Sequence, residues 1–350
     1  MTEQVQAENS PKSLDLNTNY GGQAVIEGVM MRGSQALSVA VRNPAGDIVV
    51  HTEPLDARIY GGGMAKVPFL RGLTLLWDAL GLGIKSLMFS AEVAIEEENE
   101  ADEADENEGE KEAAAKVFEG PVQWTMIALS LSMMILIFFV VPAFIAGLIQ
   151  QWIGIVESQF WSNIVEGFIR LGLVVGYIWV IGFLADVKRL YGYHGAEHKT
   201  INAYEAGAPL TPESVARFPL EHPRCGTAFL LTVVVISIIL YSFLPPVGIL
   251  MRIISRLALL PVVAGIAYEF LRFSAAHQDN GLIRLITKPN LALQRLTTRE
   301  PDMGMLEVAI TAFEQVLNFE QGEQPVLDET HVVAAKSGEA TISEPLLNPE

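Results

Sequence analysis

The residues able to do chemistry in this 350-residue chain crowd into one stretch, Tyr191 to Cys225. It reads Tyr191-Gly-Tyr-His194-Gly-Ala-Glu197-His198-Lys199 and, after a Pro-rich loop, Glu221-His222-Pro-Arg224-Cys225-Gly226. Three of the six histidines and the only cysteine fall in it. Four-residue spacing puts His194 and His198 on one face of a helix, with Glu197 beside them. Two imidazoles in that arrangement can hold a divalent metal while the glutamate acts as base, which is how the order His-x-x-Glu-His works in one class of zinc hydrolases. His222 and Cys225, three apart, form a second pair of ligands. Nitrogen and sulfur donors together favour zinc. Three protein ligands leave a position for water, whereas four close the site.

Two carboxylates are placed to complete such a site. Glu205 lies seven residues beyond His198, on roughly the same face, before the helix stops at Gly207. Glu269 falls near the end of an apolar run that returns to the same side. Each residue also has a plainer role. Histidines at a membrane surface can be hydrogen-bonded side chains, and Gly195 inside the motif lowers helix propensity. Cys225 can be a small buried apolar residue, and Glu269 can pair with Arg272 three residues on.

The elements that position these residues are membrane-like. A mean hydropathy of +0.32, with 50% hydrophobic and 18% charged residues, is too apolar for an ordinary soluble chain. Of the net charge of −18, Glu92–Glu112 accounts for −11 through twelve acids and one lysine, leaving −7 for the rest. No basic, aromatic-studded strip points to nucleic acid. One cysteine excludes an internal disulfide, and Met1–Lys12 lacks the apolar core of a signal peptide. Membrane lipids are the expected partners, and protein partners stay open.

In order, residues 1–19 read as a disordered tail and 20–63 as a small β-rich unit around Gly28 and the turn Asn43–Asp47. Strands so short need another surface, and the histidine stretch or the helix after Gly61–Gly63 can supply it. Residues 64–95 read as an interfacial amphipathic helix opening at Pro68, because Arg71, Asp78, Lys85 and Glu92 recur every seven residues. Spanning would put Asp78 near mid-bilayer at a cost of about 3 kcal/mol. Residues 96–118 form an acidic linker. Within 119–275, four apolar runs are long enough to span: Val122–Leu148, Glu166–Leu184, Thr227–Phe243 and Ile253–Phe273. The second carries Glu166 and Arg170 near one end, able to pair, and Gly172-x-x-x-Gly176, a close helix-packing face. The loop 186–225 holds five Arg or Lys against two, Arg252 and Arg256, in the loops on the other side. That asymmetry puts the histidines and both termini in the cytoplasm. Residues 276–319 read as cytoplasmic helices and 320–350 as a second disordered tail.

Three separated motifs are familiar together: Gly21-Gly-Gln-Ala-Val-Ile-Glu27-Gly28-Val-Met30-Met31-Arg32-Gly33, the histidine stretch, and Leu296-Thr-Thr-Arg299-Glu300-Pro301. Through them the chain resembles, from about Tyr20 to Phe319, the YqhQ-like family of uncharacterised bacterial membrane proteins. The family's label, predicted metal-dependent enzyme, implies a site at His194, Glu197, His198, His222 and Cys225, and the resemblance implies a bacterial inner membrane. Glu27 and Arg32, the charges of the first motif, read as a strand-end ion pair of little energetic weight, with a role in the site as the alternative.

The expected fold class is therefore an α-helical polytopic membrane protein, with four transmembrane helices, an interfacial amphipathic helix and a β-rich N-terminal cytoplasmic unit. Two functions stay open. One is a metal-dependent hydrolase with Glu197 as base, acting on a lipid or a membrane-tethered substrate. The other is a non-catalytic scaffold whose His/Cys cluster is structural. Transport ranks behind both, because the spans carry almost no mid-membrane ionisable residues.

Overall fold

The computed structural model describes residues 20–56, 67, 70–101, 121–153, 158–222, 225–245, 247–277, 280–322 and 331–333. The tail 1–19, the Gly61–Gly63 hinge, Pro68, residues 102–118 of the acidic linker and residues 334–350 lie outside them. The described strands are β1 (Gly21–Val25), β2 (Gly28–Arg32), β3 (Ala36–Arg42), β4 (Ile48–Pro54) and β5 (His331–Val333), paired antiparallel in that order. Turn chemistry sets the register. Glu27 takes a left-handed φ of 49° between β1 and β2, and the Asn43 carboxamide oxygen accepts from the Asp47 amide at 2.7 Å. The stretch expected as a second tail thus contributes an edge strand.

Both faces of this sheet are covered, which is why β3 alternates only partly in sequence. On one face Val29, Met31, Ala40, Ile48 and Val50 pack against Tyr193, Ala196, Ile201, Leu306, Ile310 and Phe313. These come from the histidine helix α4 (Ala185–Glu205) and the last helix, α9 (Met303–Gln321). On the other face Val25, Met30, Leu37, Val39 and Val49 meet Leu82, Phe89 and Val93 of α1 (Leu70–Ala101). Both surfaces proposed for the β unit are used.

Helix α1 runs six residues further than expected, into the acidic segment. Its charges do not all keep to one solvent-facing stripe. Arg71 turns inward to bind Glu269, whereas Lys85 stays exposed and reaches along the surface to Glu53. Trp77, Leu80, Ile84, Leu87 and Met88, on a helical spacing, face outward instead.

Among the described residues, three helices are long and apolar enough to cross a membrane: Ala128–Trp152, Gln159–Ile181 and Ile249–Ala276. The expected fourth, Gly226–Ser242, is apolar but has 17 residues. We label as α2 the continuous run of Pro121–Ile135, a π-helical turn Leu136–Val140 and Val141–Ile153. Then come α3 (Gln159–Ile181), α4, the single turn α5 (Pro212–Val215), α6 (Gly226–Ser242), α7 (Ile249–Ala276), α8 (Gly281–Thr297) and α9. Pro142 sits inside α2 without breaking it, just past the π turn. Proline has no N–H to give the carbonyl four residues back, and that carbonyl, Phe138, accepts instead from Arg170 Nε at 2.9 Å.

The apolar helices hold more charge than the sequence led us to expect. Glu166 Oε1 accepts from Arg170 at 2.8 Å and from Arg256 at 3.1 Å, and Arg256 also donates to Asn163 Oδ1 at 2.7 Å. Arg252 approaches the other Glu166 oxygen at 3.8 Å. Arg252 and Arg256 therefore belong to α7, which begins before them, and not to a loop. Glu166 and Arg170 do pair, but the helix starts seven residues earlier and carries them inward. Among the described residues nothing lies within 4 Å of where a side chain would stand at Gly172 or Gly176, so the pair packs against no other helix of this chain there. Gly167 takes the packing role instead, since a Cβ there would run into Ile238 of α6.

Candidate metal centre

Helix α4 delivers His194, Glu197 and His198 as their spacing requires, and its backbone ends at Ala206 with Gly207 at φ +69°. Cys225 enters from the other side as the N-cap of α6, its Sγ 2.7 Å from Thr227 Oγ1. The ligand atoms of His194, His198 and Cys225 all lie within 4.8 Å of one another. His194 Nε2 stands 3.2 Å from Cys225 Sγ. Bonds of about 2.0 Å to nitrogen and 2.3 Å to sulfur put tetrahedral zinc ligands about 3.3–3.6 Å apart, so the His194–Cys225 pair already has about that spacing and separations toward the 4.8 Å limit would close by about 1 Å around an ion.

Backbone carbonyls fix both imidazoles for that purpose. His194 Nδ1 is 2.9 Å from the Thr297 carbonyl and His198 Nδ1 is 2.5 Å from the Leu220 carbonyl. A carbonyl only accepts, so each Nδ1 carries the proton and each Nε2 presents a lone pair. This is the outer-shell arrangement that metal-bound histidines use. His198 Nε2 is buried and has no hydrogen-bond partner, which normally costs about 1–3 kcal/mol unless something fills the lone pair.

His222 lies beside this group, its ring 5.7 Å from that of His198. Its Nε2 is also buried without a hydrogen bond and sits 3.8 Å from Glu205. Gln294 of α8 grips its backbone from both sides, accepting from the His222 amide at 2.9 Å and donating to its carbonyl at 2.8 Å. Glu269 is not brought to the group. It receives two hydrogen bonds from Arg71, at 2.8 and 2.5 Å, and so ties α7 to α1.

Glu197 is 4% exposed and faces β1. Burial pushes its carboxyl up, while His194, His222 and the Gly22 amide pull it back. Burial also pushes His198 and His222 down, with contact to Cys225 opposing this for His198 and the Glu197 charge opposing it for His222. For these two rings the neutral form, the one a metal needs, is therefore favoured.

The two outlying motifs now have roles that the sequence alone did not assign. A side chain at Gly22 would meet the Glu197 carboxyl group, and one at Gly195 would run into the Arg299 carbonyl. Gly195, which weakens the helix as such, is what lets the Leu296–Pro301 strand of chain lie along α4. That strand supplies the Thr297 carbonyl and binds the Tyr191 carbonyl through the Arg299 amide at 2.9 Å. Glu27 pairs with Arg189 through two hydrogen bonds of 2.6 and 2.5 Å and accepts from Tyr193 at 3.2 Å. It thereby pins the β1–β2 turn to α4. Thr297, Leu220 and Gly22 act through their backbones, which leave no residue-type signal; Gln294 is a side chain whose partner lies 72 residues away.

Comparison with known proteins gives a family but no chemistry. The family described as a protein of unknown function, DUF1385, matches residues 67–319. The uncharacterized protein YqhQ of Bacillus subtilis (strain 168) is 35% identical over 301 residues, 86% of this chain and 93% of that protein. No solved structure matches.

Proposed function

The chain belongs to the YqhQ-like DUF1385 family, and from that premise we propose a membrane metalloprotein of the bacterial inner membrane, with a divalent ion, zinc by its donors, at the cytoplasmic face. The observation that carries this is the pair of imidazoles whose Nδ1–H groups are tied to carbonyls, leaving two Nε2 lone pairs turned toward Cys225. His194, His198 and Cys225 are the ligands in this reading. A bound ion would supply Lewis acidity toward water or a substrate oxygen. Glu197, next to His198 in sequence and raised by burial, would take up and return the proton. The reaction class is hydrolysis of a lipid or membrane-tethered substrate.

Orientation follows from charge. The connections opposite the histidines, residues 154–158 and 243–248, contain no Arg or Lys, whereas Lys188, Arg189, Lys199 and Arg217 lie on the histidine side. At about 1.5 Å per residue α6 reaches about 26 Å, close to the ~30 Å hydrocarbon core. The proposal counts it as a fourth span, which returns the chain to the cytoplasm. The outward apolar face of α1 then lies in the interface. Single cysteines at Ser158 and Ser214 in a Cys225→Ser background test this by labelling from outside intact cells. Ser158 should label and Ser214 should not; the reverse would invert the protein.

Metal analysis of protein purified without chelators tests the site. One ion per chain is expected, lost in His194→Ala or His198→Ala and kept in Glu197→Gln. Wild-type protein without stoichiometric metal ends the reading. The burial of His222 beside His198 favours a second reading, a four-ligand structural clasp between sheet and bundle. His222→Ala separates the two: a three-ligand site keeps its ion, and a four-ligand clasp releases it.

A further inference from the structure

Behind the Gln294–His222 clamp lies a cavity of about 220 Å³ between α6, α7 and α8, larger than the ~150 Å³ that accommodates a benzene ring. Leu271 and Leu291 form apolar wall, Arg284 and Lys288 stand on the α8 side, and Ser274 and Gln294 are among the other residues of the lining. Ser274 is the informative residue. Thr232, Ser237, Ser242, Ser255 and Thr287 each donate a hydrogen bond to a carbonyl three or four residues back along their helix. Ser274 is only 2% exposed and its hydroxyl has no partner. It is a buried donor on the wall of a cavity that has cations on another wall. Among the described residues neither Arg284 nor Lys288 has an acidic partner.

We propose that this cavity binds the headgroup of an anionic, phosphate-bearing lipid, with Arg284 and Lys288 taking the charge and Ser274 donating to a phosphate oxygen. The apolar wall takes the start of the acyl chains. Free phosphate shares the headgroup chemistry, but the surroundings favour the lipid. Leu282, Leu285 and Ile286, interleaved with the two cations on α8, are 63%, 60% and 47% exposed. An apolar surface beside basic side chains is what a helix at the bilayer surface presents. Basic pockets between membrane helices on the cytoplasmic side are where acidic headgroups bind. The inference uses the membrane placement proposed above but needs neither metal nor turnover. It puts the headgroup one side chain, Gln294, away from His222.

The test is native mass spectrometry of the full-length, delipidated protein in neutral detergent, titrated with phosphatidic acid, phosphatidylcholine or inorganic phosphate. One phosphatidic acid should bind at least tenfold more tightly than phosphatidylcholine. Arg284→Gln/Lys288→Gln and Ser274→Val should each weaken it by about tenfold, as expected for losing a hydrogen bond to a charged group. Arg295→Gln, on the same helix but paired with Glu221, should change nothing. Equal affinity for both lipids would overturn the proposal, as would an equal loss in Arg295→Gln. Inorganic phosphate binding as tightly as phosphatidic acid would overturn the lipid assignment. Should the double variant not fold, Ser274→Val carries the test with no change of charge. Metal content measured on the same samples keeps a failure here distinct from a failure of the metal reading.

Discussion

Two buried polar clusters divide this molecule, and they are built on opposite principles. The Glu166 cluster consumes its own hydrogen-bonding capacity. One carboxylate is shared by Arg170 and Arg256, Asn163 takes a further guanidinium N–H, and the ring of Tyr241 lies 5.6 and 5.2 Å from the two arginine centres. Among the described residues only Arg252 Nε is left over there. The histidine cluster does the reverse: it spends carbonyls on the Nδ1 side and keeps Nε2 of His198 and of His222 unsatisfied. A closed network holds helices together, whereas lone pairs held open at a cost imply a ligand.

The acidic residues of the two clusters should therefore behave oppositely, and this is the largest effect we expect. Glu166→Ala strands three buried guanidinium groups and should cost about 3–5 kcal/mol, the penalty for removing one partner of a buried ion pair. Glu197→Gln removes a carboxyl that burial already disfavours as an anion, and should cost at most about 1 kcal/mol. Thermal unfolding in detergent measures both. Equal losses would erase the distinction between the clusters.

Glycines sharpen the contrast next. Gly195→Ala forces a methyl group into the Arg299 carbonyl and should cost about 1–3 kcal/mol by overpacking. It should also weaken metal binding, because the displaced strand carries the Thr297 carbonyl that orients His194. Gly172→Ala meets open space and should be neutral or stabilising by up to about 1 kcal/mol. A destabilised Gly172→Ala variant would mean that α3 has a partner at that face.

Acid should also act on the histidine cluster. In metal-free protein His198 and His222 have folded pKa values below the ordinary value of about 6.5. The unfolded chain takes up protons first, so stability is full above about pH 6.5 and falls as pH drops through the lower folded values. Glu197, raised in the fold, contributes in the opposite sense: its share is present below the ordinary carboxyl value near 4.3 and is lost as pH rises through its folded value. Unfolding of chelator-treated protein between pH 8 and 5 reads the histidine effect. His198→Ala should flatten the slope.

The smallest effect is at Glu27, half out in solvent against Arg189. Glu27→Gln should cost no more than about 1 kcal/mol and leave the metal in place. A loss of metal on that change would show that the β1–β2 turn controls the site.

What the chain determined by itself is whatever follows from local period and composition. The four-residue spacing of His194 and His198 has one consequence on a helix, and Gly207 ends that helix because only a glycine readily takes its backbone angle. Apolar length alone marked Val122–Leu148, Glu166–Leu184 and Ile253–Phe273, which overlap the helices Ala128–Trp152, Gln159–Ile181 and Ile249–Ala276; the fourth run, Thr227–Phe243, became the shorter helix Gly226–Ser242. Partners were another matter. Glu269 binds Arg71, 198 residues away, and Glu27 binds Arg189 across 162 residues. No spacing rule reaches that far, because a charge pairs with whatever packing brings within hydrogen-bond range. The choice of Thr297 and Leu220 as the carbonyls that set the two imidazoles belongs to the same class. Only the tertiary structure decided which nitrogen of each histidine was left open, by threading the Leu296–Pro301 segment past Gly195 for His194 and by bringing the Leu220 carbonyl to His198.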